Sequence, residues 1–178
     1  MIKDNQNPLH SSFLPADIVI SNADLRYTET KLVDSAYQTY PETYRDKKVI
    51  APSAFILYLG VKGELPQLIH HNLIFSENWD VNFEQIFKTP KLPDEPSYYL
   101  CKPSHTDPSV APAHHENLFV LVPLAPELEL SDTDLEMYYN QIISDISLTC
   151  AIPDLQQRIV SKTIFSGKDF SSMYHSYK

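Results

Sequence analysis

Glycine is nearly absent, 3 residues in 178 against a usual share of about 7%. A phosphate-binding loop needs several glycines at fixed spacing, because its backbone must approach the anion closely. No such loop can be built here. Cysteine is also scarce: Cys101 and Cys150 are far apart, with no C-x-x-C between them. The opening Met-Ile-Lys-Asp-Asn is no secretory leader, so a reducing cytoplasm is the expectation. Long apolar runs are missing too. Residues 54–61 and 118–124 fall well short of the ~20 that a bilayer span requires. Positive charge is in deficit, with Lys plus Arg at 14, Asp plus Glu at 23 and a net charge of −9. A chain of that sign repels phosphate backbones and anionic lipid surfaces, which argues against nucleic-acid binding.

What remains is ordinary globular material, 43% hydrophobic and 21% charged, rich in proline (14) and tyrosine (11). Its length suits one domain or one and a half. The first fifteen residues read as a surface connection or an edge hairpin. Residues 17–21 (Asp-Ile-Val-Ile-Ser) are β-branched and predict a buried strand, followed by a helix over 25–36. Residues 53–61 are apolar on both alternating faces and predict an interior strand, with residues 68–75 returning beside it. Asn78 can cap a helix whose apolar surface is Val81, Phe83, Ile86 and Phe87. Two more strands fit residues 97–102 and 117–122, joined by a proline- and histidine-rich loop over 103–116. Ser131 and Asp134 resemble a capping box, after which Leu135, Tyr138, Tyr139, Ile142 and Ile146 recur at helical spacing. A last strand is expected over 157–164 and a last helix over 168–175. The fold class is therefore mixed α/β: a mixed sheet with flanking helices. Strands apolar on both faces require cover on both sides, or an apolar ligand on one.

Candidate chemistry is thin. His70-His71 and His114-His115, with His105 and Cys101 nearby, tempt a metal assignment. However, adjacent strand residues point to opposite faces, so each pair offers one ligand unless it lies in a loop. With no H-x-x-x-H spacing, hydrogen-bonded or solvent-facing histidines are the expectation, and no metal. Cys101 reads as a buried, inert thiol. No G-x-S-x-G nucleophile elbow occurs. Tyr98, Tyr99, Tyr138 and Tyr139 fall at spacings that core packing explains. Asp107, in Thr106-Asp107-Pro108-Ser109, suits a turn former bonding to backbone N–H groups. Alternatively, at the edge of an apolar cavity its pKa would rise and it could accept a proton, with His105 as a second candidate for that role.

Several stretches, in order, resemble the bacterial-type phytoene desaturases, carotenoid desaturases related to the FAD-dependent amine oxidases. They are Ala-Asp-Ile-Val-Ile-Ser-Asn-Ala-Asp (16–24) with Glu-Thr-Lys-Leu (29–32), and Ser-Ala-Phe-Ile-Leu-Tyr-Leu-Gly-Val (53–61) with Leu-Pro-Gln-Leu-Ile-His-His-Asn-Leu-Ile-Phe (65–75). Further along come Ser-Tyr-Tyr-Leu (97–100), Thr-Asp-Pro-Ser-Val-Ala-Pro (106–112) running into Asn-Leu-Phe-Val-Leu-Val-Pro (117–123), and Asp-Phe-Ser-Ser-Met-Tyr-His (169–175). The resemblance runs from about residue 16 to the end, and the T-D-P-S-x-A-P loop is its most specific part. It covers only the middle of the family pattern: the G-x-G-x-x-G fingerprint and the second glycine-rich flavin segment are both absent from this sequence.

The resemblance implies the central piece of a flavoprotein. Residues 1–48 would be a segment of the FAD-binding lobe, 49–165 the substrate-binding lobe, and 166–178 the start of the return to the FAD lobe. The implied cofactor is FAD, and the implied substrate a long-chain isoprenoid hydrocarbon into which conjugated double bonds are introduced. Phe55, Leu57 and Tyr58 would line its slot, and Asp107, or His105, would accept the proton. The implied location is the cytoplasm, with peripheral attachment to the membrane by apolar rather than charged contacts; the missing desaturase segments would be partners on another chain or the same one. The competing expectation is a lipid-binding remnant of such an enzyme that has lost its redox half.

Overall fold

The computed structural model describes residues 14–177 throughout and, before them, the backbone of Ile2–Asp4 and Asn7–Ser12. The chain divides into two compact units, residues 1–39 and 40–178.

In the first unit β1 (Ile2–Asp4) and β2 (Asn7–Ser12) pair antiparallel, with Ile2 opposite Ser12, the second of the two readings given for these residues. Helix α1 (Leu25–Tyr27) starts on Asp24, whose carboxylate accepts the Tyr27 N–H at 2.9 Å. It widens at once into a π-type turn, Thr28–Leu32, and ends where Val33 turns extended. Within that turn the Thr30 hydroxyl donates to the Arg26 carbonyl at 2.7 Å, a back-bond of the kind that loosens helices. The expected helix over 25–36 is thus shorter, with a separate 3₁₀ turn at Ser35–Tyr37. Glu29 is buried and accepts the Thr39 N–H at 3.2 Å. The expected strand over 17–21 does not form. Ile18, Val19 and Ile20 are 82–90% exposed and have no ladder partner, because β-branched side chains make a strand only where a neighbouring strand completes the hydrogen bonds.

The second unit opens with the one-turn α2 (Glu42–Arg45) and is built on a five-stranded sheet. Its strands are β3 (Ser53–Lys62), β4 (His71–Ile74), β5 (Tyr98–Cys101), β6 (His115–Leu124) and β7 (Ile159–Phe165). The spatial order is β4-β5-β6-β3-β7. Every pairing is antiparallel, so the sheet is not mixed as expected, and β4 lies at the edge beside β5 rather than next to β3. Tight turns favour sequential pairing, but the long β3–β6 match, ten residue pairs from Ser53–Leu124 to Lys62–His115, takes the central place. Gly60 sits where β7 comes close: a Cβ there would stand 2.7 Å from Ser161 Oγ.

Helix α4 (Asp132–Thr149) covers one face. Its N-terminus carries the expected capping box: Ser131 Oγ accepts the Asp134 N–H at 3.2 Å and Asp134 accepts the Ser131 N–H at 2.9 Å. Tyr138, Tyr139, Ile142, Ile143 and Ile146 recur along one stripe and pack on Phe55, Leu57, Leu59, Val120 and Val122. Burial of that apolar area, at about 25 cal/mol per Å², is what holds the layer together. Short α5 (Leu155–Arg158) and terminal α6 (Gly167–Tyr174) flank β7. Helix α3 (Trp79–Phe87) is capped by Asn78 and buries Ile86 as expected, but Val81, Phe83 and Phe87 of the expected apolar surface stay 43–49% exposed. Asn82, Gln85 and Ile86 are buried, while Trp79, Phe83 and Phe87 are about half-exposed and stack with Phe75 at 5.2–5.9 Å along the outside. Among the described residues no helix is long and apolar enough to cross a membrane.

Candidate functional site: the open face of the sheet

Alternation along each strand sends half of the sheet's side chains away from α4. On that side the register sets one row across all five strands: His71 opposite Cys101, Cys101 opposite Phe119, Phe119 opposite Tyr58, and Tyr58 opposite Thr163. The rings in and beside this row stand in sequence. His70 and His71 have centroids 4.2 Å apart, His71 and Tyr99 5.9 Å, Tyr99 and Phe119 6.1 Å, and Phe119 and Tyr58 5.4 Å. The row floors an open groove of about 680 Å³ walled by Tyr58, Tyr99, Phe119, Asn117, Ser161 and Thr163. Within the second unit nothing described covers it. A larger hollow of about 720 Å³ beside α4 is rimmed by Glu77, Asp94, Glu95 and Asp145, an acidic setting that does not suit a hydrocarbon.

The expected slot residues separate. Tyr58 lies on the open face and is 47% exposed, whereas Phe55 and Leu57 are fully buried under α4. They are core residues, since positions of opposite parity in a strand cannot line one groove. Of the four tyrosines expected in the core, Tyr98, Tyr138 and Tyr139 are buried there, while Tyr99 belongs to the open face.

The loop between β5 and β6 is held rigidly at one end of the groove. Lys102 is buried, donating Nζ to the Leu65 carbonyl at 2.7 Å and pairing with Glu116 at 3.5 Å. Glu116 also accepts the Leu65 N–H at 3.4 Å and a short bond from the Ser104 hydroxyl. Burial pushes the Glu116 carboxyl up, but the Ser104 and Leu65 bonds and the Lys102 charge together bring it below its ordinary value. Further along, Asp107 is exposed and caps the 3₁₀ turn Pro108–Val110. It accepts the Ser109 hydroxyl at 2.6 Å and the Ser109 N–H at 2.9 Å. Those bonds hold its carboxyl below the usual range, opposite to the rise that an apolar cavity would cause. In this unit Asp107 is the turn former of the two readings. His105 is exposed on the same loop.

The histidine pair also departs from expectation. Strand β4 starts at His71 and His70 sits in the bend before it, so the alternation that would send the two rings apart does not apply. His70 Nδ1 lies 2.6 Å from the Thr106 hydroxyl and His71 Nδ1 2.5 Å from the Tyr99 hydroxyl. Both rings come close to Cys101, which is buried and reduced. Sequence reasoning missed Phe119, Tyr99 and His71 as members of one face. Each strand's alternation was legible, but the order of strands that places them side by side was not.

No protein-family model matches the chain. Curated relatives do. A carotenoid 3,4-desaturase of Haloarcula japonica is 42% identical over 168 residues, which is 94% of this chain and 34% of the relative. A 4,4'-diaponeurosporene oxygenase of Staphylococcus aureus is 30% identical over 166 residues, 92% of this chain and 33% of the relative. The chain spans about a third of the length of the curated relatives it matches.

Proposed function

We propose that the chain, which matches about a third of a carotenoid 3,4-desaturase and of a 4,4'-diaponeurosporene oxygenase, supplies the substrate side of an FAD-dependent desaturase of long polyenes, with the open sheet face as the wall against which the polyene lies. One observation carries this: a sheet covered by α4 on one face presents, on the other, an uncovered row of rings spanning its strands. A conjugated C40 chain of the phytoene type is long, narrow and apolar, and stacks on such rings over its length while they keep water from it. The amine-oxidase-like arrangement, in which a substrate lobe faces a flavin lobe, is part of the same reading. In it residues 1–48 belong to the flavin side, 49–165 to the substrate side and 166–178 to the return. The bare segment over 18–20 is then a strand that pairs with parts of the flavin lobe.

The residues present do not hold FAD. Gly60 is inside β3, Gly63 is in a turn against Arg158, and Gly167 opens α6, so none shapes a phosphate loop. The N-termini of α4 and α6 are filled by the chain's own Asp134 and Asp169, which would repel a pyrophosphate. In this reading the chain binds and dries the substrate, and the cofactor belongs to the segments that the relatives have in addition. Contact with the bilayer that dissolves the polyene would come from apolar surface, and the exposed rings of α3 offer it. The Ser109 bonds keep Asp107 ionised, as a proton acceptor must be, although a lowered pKa makes it a weaker base.

Replacing the matching third of the Haloarcula relative by this chain, in a host that makes the relative's carotenoid precursor, tests the reading. Pigment with a desaturated spectrum is expected. A stable, flavin-loaded hybrid that leaves the precursor unchanged would favour the lipid-binding remnant instead. In the same hybrid Asp107→Asn should slow desaturation by about 10²-fold with flavin content unchanged, and His105→Ala should not; the reverse pattern would transfer the role to His105.

A further inference from the structure

Three soft or borderline donors meet where the ring row reaches the edge of the sheet. Ligand atoms of His70, His71 and Cys101 all lie within 4.8 Å of one another. The meeting follows from the fold. His71 and Cys101 are direct cross-strand partners on the open face, and the bend at His70 turns its ring to the same side, 4.2 Å from that of His71. Each imidazole already has one nitrogen oriented by a hydroxyl, Thr106 for His70 and Tyr99 for His71. Such outer partners fix ring orientation and tautomer in metal sites. Tyr99, two residues before Cys101 on β5, faces the same side of the sheet, so the third donor stands beside the residue that orients His71.

We propose that His70, His71 and Cys101 form a binding site for a zinc-type divalent cation, with three protein ligands and a fourth position open to the groove. Two imidazoles and a thiolate suit zinc, which is commonly four-coordinate and tetrahedral. At zinc bond lengths of about 2.0–2.3 Å the donors would stand roughly 3.4–3.6 Å apart. Small rotations of the half-buried His70 ring and the exposed His71 ring would bring the donors to that spacing. On binding, the Cys101 thiol loses its proton to solvent and the metal takes up the thiolate, so the site carries a net charge of plus one and its affinity rises with pH. The cation clamps edge strand β4 to β5 and, through His70 and Thr106, steadies the loop that carries Asp107. The inference does not depend on the proposed reaction, because it can be read in the chain by itself.

The test is titration of the reduced chain with Co²⁺, whose thiolate charge-transfer band reports a Cys–metal bond, followed by competition with Zn²⁺. One equivalent should produce the band and Zn²⁺ should bleach it. Cys101→Ser should abolish the band and Cys150→Ser should leave it. His70→Ala and His71→Ala should each weaken binding by at least about tenfold, the smallest cost seen for even outer-shell partners. Near-ultraviolet circular dichroism confirms that each variant is folded. His71→Ala alters an exposed side chain, so it stays informative even if Cys101→Ser disturbs the core. A folded chain without a thiolate band would overturn the proposal. So would a band that survives Cys101→Ser, or binding indifferent to both histidines.

Discussion

Lys102 and Glu116 form an ion pair at 3.5 Å with side chains only 5% and 12% exposed, and the Leu65 backbone bonds to both partners. The pair therefore joins three pieces far apart in sequence: the turn after β3, the end of β5 and the start of β6. Removing one partner strands the other charge in a poorly hydrated place, which costs about 3–5 kcal/mol. Glu116→Ala should lower the unfolding free energy of the isolated chain in urea by about 3 kcal/mol, and Glu116→Gln by less. Because the folded-state carboxyl lies below its ordinary value of 4.5, its contribution is present above that pH. It is lost as pH falls from there through the lowered value. The difference in stability between the native chain and Glu116→Gln should therefore shrink on acidification below about 4.5; a difference constant from pH 7 to pH 3 would remove Glu116 from this role.

Leu57 and Tyr58 are neighbours with opposite duties. Leu57→Ala opens a cavity beneath α4 and should cost about 2–5 kcal/mol of stability. Tyr58→Ala, on the open face, should change stability by about 0.5 kcal/mol at most, yet reduce polyene binding several-fold, as measured by quenching of a fluorescent polyene. Equal losses of stability in the two variants would mean that the groove face is packed in solution.

Tyr138 is buried on the sheet-facing side of α4 and its hydroxyl has no hydrogen-bond partner among the described residues, while its ring meets Phe55 edge-on at 5.2 Å. Burial holds the phenol well above its usual pKa. Tyr138→Phe keeps the ring contact and removes the unmatched hydroxyl, whose desolvation costs about 1–3 kcal/mol. The variant should be more stable, by about 1 kcal/mol, in thermal unfolding. A loss of stability would show that the hydroxyl has a partner in solution.

Local chemistry made much of the chain legible. The capping box at Ser131 and the apolar stripe from Leu135 to Ile146 specify α4, and Asn78 specifies the start of α3. Short apolar runs, apolar on both faces in β3, specify β3, β5, β6 and β7. These signals act within a few residues, so they survive without knowledge of the rest. The resemblance carried by Thr106-Asp107-Pro108-Ser109 and its flanks likewise pointed to the carotenoid desaturases, and the chain is 42% identical to a carotenoid 3,4-desaturase over a third of that relative.

Sequence alone determined where α3, α4, α6 and the strands β3, β5, β6 and β7 lie to within about two residues, because capping and local apolar patterning are properties of neighbouring residues. Tertiary structure alone decided which face of each element is covered. It put β6 rather than β4 beside β3, sent Phe55 and Leu57 to the core and Tyr58 to the groove, turned the rings of α3 outward, left residues 18–20 without a partner strand, and brought His70 and His71 to Cys101. Each of these depends on a contact between segments tens of residues apart, whose free energy is settled by the register of the sheet and not by any local pattern.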